Sequence, residues 1–113
     1  MKSKILALSK NEEFKSLLNQ KKISNKYVTI FFGRLNNKDK NKFNISFVTK
    51  KKIGNAVKRN KIKRRLRNIA NDAIIKMSLN FNYSYLVIAK PTMLNIEYTI
   101  IKETLFRDLE RIR

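Results

Sequence analysis

Asn60, Lys63, Arg64 and Arg67 stand at mutual spacings of three and four. On an α-helix, which advances roughly 100° per residue, they share one face. Cations and an amide in that arrangement suit the recognition of a phosphate backbone. Arginine offers bidentate contacts, lysine a point charge, and asparagine can address a base edge or a ribose. Arg59 lies on the flank of this strip, nearer the apolar side of the helix. Just upstream, Gly54 and Asn55 join Lys50, Lys51 and Lys52 to the start of the helix. A flexible backbone, free N–H groups and the positive end of the helix dipole together favour an anion there. The whole segment 50–67, KKKIGNAVKRNKIKRRLR, holds ten basic residues in eighteen and no acid.

The residues that are absent restrict the chemistry further. The 113-residue chain contains neither Cys nor His, so a thiolate nucleophile, a zinc finger, a histidine general base and a disulfide framework are all excluded. The carboxylates are scattered, which argues against a two-carboxylate metal nuclease. The apolar stretch near the amino terminus is too short for a signal peptide, and no run approaches the ~18 residues of a membrane span. A cytoplasmic protein without a membrane partner is therefore expected.

Charge is distributed unevenly. The chain has 27 Lys and Arg against 8 Asp and Glu, a formal charge of +19. Residues 1–67 account for +18 of it and residues 68–113 for +1. Concentrated like charge opposes folding until a polyanion or salt relieves it. A basic face kept only for solubility usually carries interspersed acids. With 42% apolar residues and eleven aromatics, the chain has the makings of a core, so the excess charge belongs on a folded surface rather than in a disordered tail.

The elements that position the strip follow from hydrophobic periodicity. Ser9 and Glu12 have capping-box spacing, and Phe14, Leu17 and Leu18 give the following short helix an apolar face. Residues 26–35, KYVTIFFGRL, read as a strand apolar on both faces, and Phe43 to Phe47 as an alternating one. These two runs, joined by a polar loop over 36–42, are expected to form a hairpin. From Asn55 the period changes: Ile62, Leu66, Ile69, Ala73 and Met77 form the core stripe of a long helix whose opposite side is the cationic strip. On this helix Lys58 and Arg65 also lie nearer the apolar side and can run along the core edge. Tyr83 to Ala89 is a further strand, Lys90-Pro91 ends it, and Asn95 is a candidate N-cap for a last helix over 96–112. The order indicates a single α+β domain spanning residues 1–113, built as a two-layer α/β sandwich.

The string Lys51-Lys52-Ile53-Gly54-Asn55-Ala56-Val57-Lys58-Arg59-Asn60-Lys61-Ile62-Lys63-Arg64-Arg65-Leu66-Arg67 resembles the signature of the bacterial ribonuclease P protein subunit, an Arg-Asn-Arg run followed by x-Lys-Arg. Arg59 and Asn60 match, Lys61 replaces the second Arg, and Lys63, Arg64 and Arg67 match the remaining basic positions. Asn11-Glu12-x-Phe14 resembles the family's first helix, and Tyr83 to Pro91 its carboxy-terminal third, so the likeness covers about residues 10–112.

The resemblance implies a small central sheet of about four strands with three helices and a left-handed crossover between parallel strands. It implies that Lys51, Lys52, Gly54, Asn55, Arg59, Asn60, Lys61, Lys63, Arg64 and Arg67 contact a catalytic RNA subunit. A cleft between the first helix and the sheet would receive the 5′ leader of precursor tRNA, with Phe14, Ile30 and Phe32 as candidate lining residues. Strand aromatics and helix aromatics are more often core residues, which is the alternative for all three. Chemistry would lie in the RNA, with Mg²⁺ activating water, and no protein side chain would be catalytic. No obligate protein partner is implied. Leu18 stands where several family members have a second aromatic, and Lys50 where they have a small hydroxyl residue. Other readings of the basic surface are a small ribosomal protein, a helix lying on acidic membranes and a DNA regulator.

Overall fold

A computed structural model describes residues 5–8, 11–35 and 41–112. Its elements run in chain order β1 (Ile5–Leu6), α1 (Asn11–Leu18), β2 (Lys21–Ser24), β3 (Val28–Gly33), β4 (Phe43–Val48), a 3₁₀ turn (Lys51–Ile53), α2 (Ala56–Lys76), β5 (Ser84–Ala89), a second 3₁₀ turn (Pro91–Asn95) and α3 (Tyr98–Arg111). The five strands form one mixed sheet in the order β1-β4-β5-β3-β2. Four of them have four or more residues; β1, with two, accounts for the difference from the expected four.

The expected hairpin between residues 26–35 and 43–47 does not form. β3 pairs antiparallel with β2 and β5, whereas β4 lies parallel to β5 and to β1. The reason lies in β5, SYLVIA, which is apolar on both faces. A strand with nothing to show to water is best buried at the centre, and there it separates β3 from β4. The connection from β4 to β5 consequently passes through α2, as neighbouring parallel strands require a crossover.

Register assigns each residue to a face. Ile30↔Val87, Phe32↔Tyr85, Ile45↔Tyr85 and Phe47↔Val87 point to one side, where Ile62, Leu66, Ile69 and Ala73 of α2 and Ile101, Leu105 and Leu109 of α3 cover them. Phe31↔Leu86 and Val48↔Ile88 point to the other side, where Phe14 and Leu17 of α1 pack. Two helices thus cover one face almost completely, and one eight-residue helix covers part of the other.

Two helix starts differ in how they are capped. Asn55 has extended backbone angles and its Oδ1 accepts from the Lys58 N–H at 3.0 Å, fixing the start of α2. α3 begins at Tyr98 with Glu97 as its N-cap, not Asn95; Asn95 closes the second 3₁₀ turn instead. Pro91 sets the start of that turn and so delays the helix. The capping box at Ser9 lies outside the described residues, as does most of the 36–42 loop.

Candidate nucleic-acid interface

Burial of Ile62, Leu66, Ile69, Ala70 and Ala73 on α2 decides which way its cations point. Asn60, Lys63, Arg64 and Arg67 are all exposed, as the sequence spacing requires. Among the described residues none of these four side chains is engaged by a carboxylate. The ion pair of α2 that is present, Asp72 to Lys102 at 2.7 Å, sits further along the helix and joins it to α3. The strip is therefore an ordered row of cations held by a rigid element and open to a polyanion.

The remaining basic candidates divide by position. Lys51 and Lys52 are exposed on the first 3₁₀ turn, and the N–H of Gly54 closes that turn on the Lys51 carbonyl at 3.2 Å. A Cβ added to Gly54 would come within 3.1 Å of the Lys58 side chain, so the chain passes close to α2 here. Lys61 is exposed. Asn55 uses its side chain for the cap, and its carbonyl accepts from the Arg59 N–H at 3.0 Å. Arg59 is half-buried, and its Nε is buried without a hydrogen-bond partner among the described residues. Arg65, at the core edge as expected, donates from Nη1 to the Ile96 carbonyl at 3.3 Å. Lys58, by contrast, is exposed.

On the other face of the sheet, Phe14 is half-buried beside Leu17, Leu86 and Phe31, on the side that α1 covers and where the leader cleft is expected. Ile30 and Phe32 are not on that side. Ile30 is fully buried beneath α2 and α3, and Phe32, 8% exposed, belongs to the same core cluster and packs on Tyr83 with ring centroids 5.7 Å apart. Residues of one strand alternate sides, so the aromatic facing α1 is the intervening Phe31. Half-buried Phe31 also has the Lys22 ammonium 6.0 Å from its ring centroid. The stretch Val28 to Phe32 is apolar on both faces, and no alternation in it could have marked Phe31 as the outward one. Beside these rings the same face carries buried Asn44, Ser46 and Ser84, with Ser46 Oγ accepting from the Leu8 N–H at 2.7 Å. That side of the sheet is therefore aromatic at one end and polar at the other.

Residues 3–113 match the family model described as Ribonuclease P. The chain belongs to the bacterial ribonuclease P protein family. Relatives named ribonuclease P protein component include one from Mycoplasma mycoides, 30% identical over 106 residues and covering 94% of each chain. Another, from Carboxydothermus hydrogenoformans, is 36% identical over 104 residues, covering 87% of this chain and 83% of its own. Among solved structures, the ribonuclease P protein of Thermotoga maritima superposes with a TM-score of 0.76 at 24% identity, over 96% of this chain and 98% of that one. The Staphylococcus aureus protein gives 0.76 at 24% identity, over 94% and 93%. The α+β architecture is thus that of ribonuclease P proteins. No helix among the described residues is long and apolar enough to cross a membrane.

Proposed function

We propose that this chain is the protein subunit of a ribonucleoprotein ribonuclease P, binding a catalytic RNA and the 5′ leader of precursor tRNA during removal of that leader. The observation that carries the reading is the acid-free exposed row Asn60, Lys63, Arg64 and Arg67 on α2, within a chain matched from end to end by the family. Such a row neutralises phosphates and so draws two polyanions together at little cost in repulsion. Phe14 and Phe31 offer half-buried ring faces on which unpaired leader bases can stack, while Lys22 supplies charge beside them. With Leu18 rather than a second aromatic on α1, 47% exposed, leader binding leans on charge as well as stacking.

Mg²⁺ belongs to the assembled particle in this reading. No group of three or more carboxylates converges among the described residues. The chain contributes counter-charge and orientation, and the RNA contributes the reacting groups. Both would meet in the cytoplasm.

Reconstitution tests the proposal. Added to a bacterial ribonuclease P RNA at low Mg²⁺, the protein is expected to raise the rate of precursor tRNA cleavage at the mature 5′ end. Unchanged cleavage would sink the idea, and association with ribosomes instead would favour a structural RNA-binding role.

A further inference from the structure

The basic helix has a second cationic flank. Lys58, Lys61 and Arg65 lie roughly 140° around α2 from the centre of the strip formed by Asn60, Lys63, Arg64 and Arg67. They face the second 3₁₀ turn, and between the two elements is an open pocket of about 230 Å³. Its floor is apolar: Ile62 is 3% exposed, Met93 is fully buried and Leu94 is half-buried. Its walls are cationic, with Lys58 and Lys61 extending into solvent. The Arg65 guanidinium is anchored in the wall by its hydrogen bond to the Ile96 carbonyl. Asn95 places an amide at the rim, and no carboxylate lines the cavity.

An apolar floor beneath three cations and an amide matches the two halves of a nucleotide. The base or ribose can cover Ile62 and Leu94 while the phosphate meets the lysines. The volume lies below the ~300–1,000 Å³ usual for drug-sized ligands, which suits one nucleotide unit of a longer strand. A flat acidic membrane would not enter a concavity. A backbone lying along the motif strip cannot also reach this pocket without turning around a helix that is ~10–12 Å across with its side chains.

We propose that the pocket between α2 and the second 3₁₀ turn seats one nucleotide of a second RNA segment, so that α2 is gripped from two sides. This rests on the reading of the chain as a ribonuclease P protein bound to its RNA. Because the chain has no Cys, a single introduced cysteine carries a short photoactivatable crosslinker at one position only. Asn95→Cys reports on the pocket rim. Ala56→Cys, at an exposed site within the strip's arc and on the side of α2 away from the pocket, reports on the motif face.

With the protein assembled on a bacterial ribonuclease P RNA, the two positions are expected to crosslink to different RNA segments. Lys58→Gln combined with Lys61→Gln should abolish the Asn95→Cys crosslink, retain the Ala56→Cys one, and flatten the log–log salt dependence of RNA affinity by roughly 0.7–0.9, the loss of about one phosphate contact. An unchanged thermal midpoint would show that the exposed lysines were removed without unfolding. Crosslinks from both positions to the same nucleotides overturn the pocket proposal. So does a crosslink from Asn95→Cys to another protein chain, or none while Ala56→Cys reacts. Silence at both positions overturns the RNA-binding reading itself.

Discussion

Asn25 Nδ2 donates a 2.6 Å hydrogen bond to Asp108 Oδ2, tying the turn that launches β3 to the last helix across 83 positions of sequence. The Asp108 side chain is only 4% exposed. The opposite end of the same amide, Asn25 Oδ1, accepts from the N–H groups of Tyr27 and Val28 at 2.7 and 2.9 Å. Lys90, just beyond β5, donates to Ser24 Oγ at 2.8 Å and to the Asn25 carbonyl. One asparagine thus joins the turn between β2 and β3 to α3 and, through its carbonyl, to the end of β5.

Asn25→Ala leaves a buried carboxylate without its donor and two backbone N–H groups without their acceptor. A loss of about 1–3 kcal/mol is expected, since a buried group left unsatisfied costs its desolvation. The shift of the urea midpoint at constant slope measures it. An unchanged midpoint would mean that water replaces the amide fully.

The pair Asp72–Lys102 makes stability respond to pH at both extremes. The hydrogen bond from Lys102 holds the Asp72 carboxyl below its ordinary 3.8, against a smaller opposing effect of burial. The same bond raises the Lys102 ammonium above 10.5. A depressed acid contributes stability above its unfolded value and loses it as pH falls through the folded one; a raised base contributes below its unfolded value and loses it as pH rises through the folded one. The difference in melting temperature between the natural chain and Asp72→Asn should therefore be flat from about pH 5 to about pH 9 and shrink beyond both limits. A difference that persisted at pH 2 would refute the ion pair as its source.

Helix capping and RNA binding can be separated at Asn55. Asn55→Ala should cost about 0.5–2 kcal/mol of stability by removing the cap on the Lys58 N–H. Asn55→Asp keeps the cap and complements the helix dipole, so stability is retained or raised. Its negative charge, however, sits where an RNA phosphate is expected, so affinity should fall. Calorimetric melting and filter binding on the same two variants check both statements. Equal RNA affinity for Asn55→Asp and the natural chain would remove the α2 start from the interface.

Arg64→Ala and Arg67→Ala should each flatten the log–log dependence of RNA affinity on salt by roughly 0.7–0.9. Both side chains are exposed, and surface changes of this kind stay within about 0.5 kcal/mol of stability. Affinity measured over a salt series, alongside a thermal midpoint, distinguishes lost phosphate contacts from unfolding.

The adjacent pair Phe31 and Phe32 should behave as opposites. Phe32→Ala removes a buried ring packed on Tyr83 in the main core cluster and is expected to cost about 3–5 kcal/mol. Phe31→Ala, at a half-buried site, should cost less stability but weaken binding of precursor tRNA with a leader relative to mature tRNA. Equal loss for both tRNAs would detach Phe31 from leader recognition.

The helices were legible from sequence because α2 has an unbroken apolar period, which also revealed the direction of Arg64 and Arg67. Sheet order was not. β3, β4 and β5 are all short and apolar, and nothing in their own residues states which neighbours they take; the central place of β5 comes from competition among strands for burial. The same ambiguity hid Phe31 behind Ile30 and Phe32. β2, reading KKIS, has only Ile23 to announce it, and its pairing is imposed by β3. The pocket beside α2 is not legible in the sequence, because half its wall comes from Met93, Leu94 and Asn95, some thirty positions downstream of Lys61 and Arg65.

The strand at the middle of the sheet is also the last of the five to be synthesised. Until Ala89 has been translated, the β2–β3 and β1–β4 units have no hydrogen-bonded partner in common. A nascent chain therefore carries nearly all of its positive charge before it owns a complete sheet, and pairing that depends on distant segments closes slowly. During translation the protein is a loose polycation emerging beside ribosomal RNA. Only its nearly neutral final third completes the sheet that holds those cations in one arrangement.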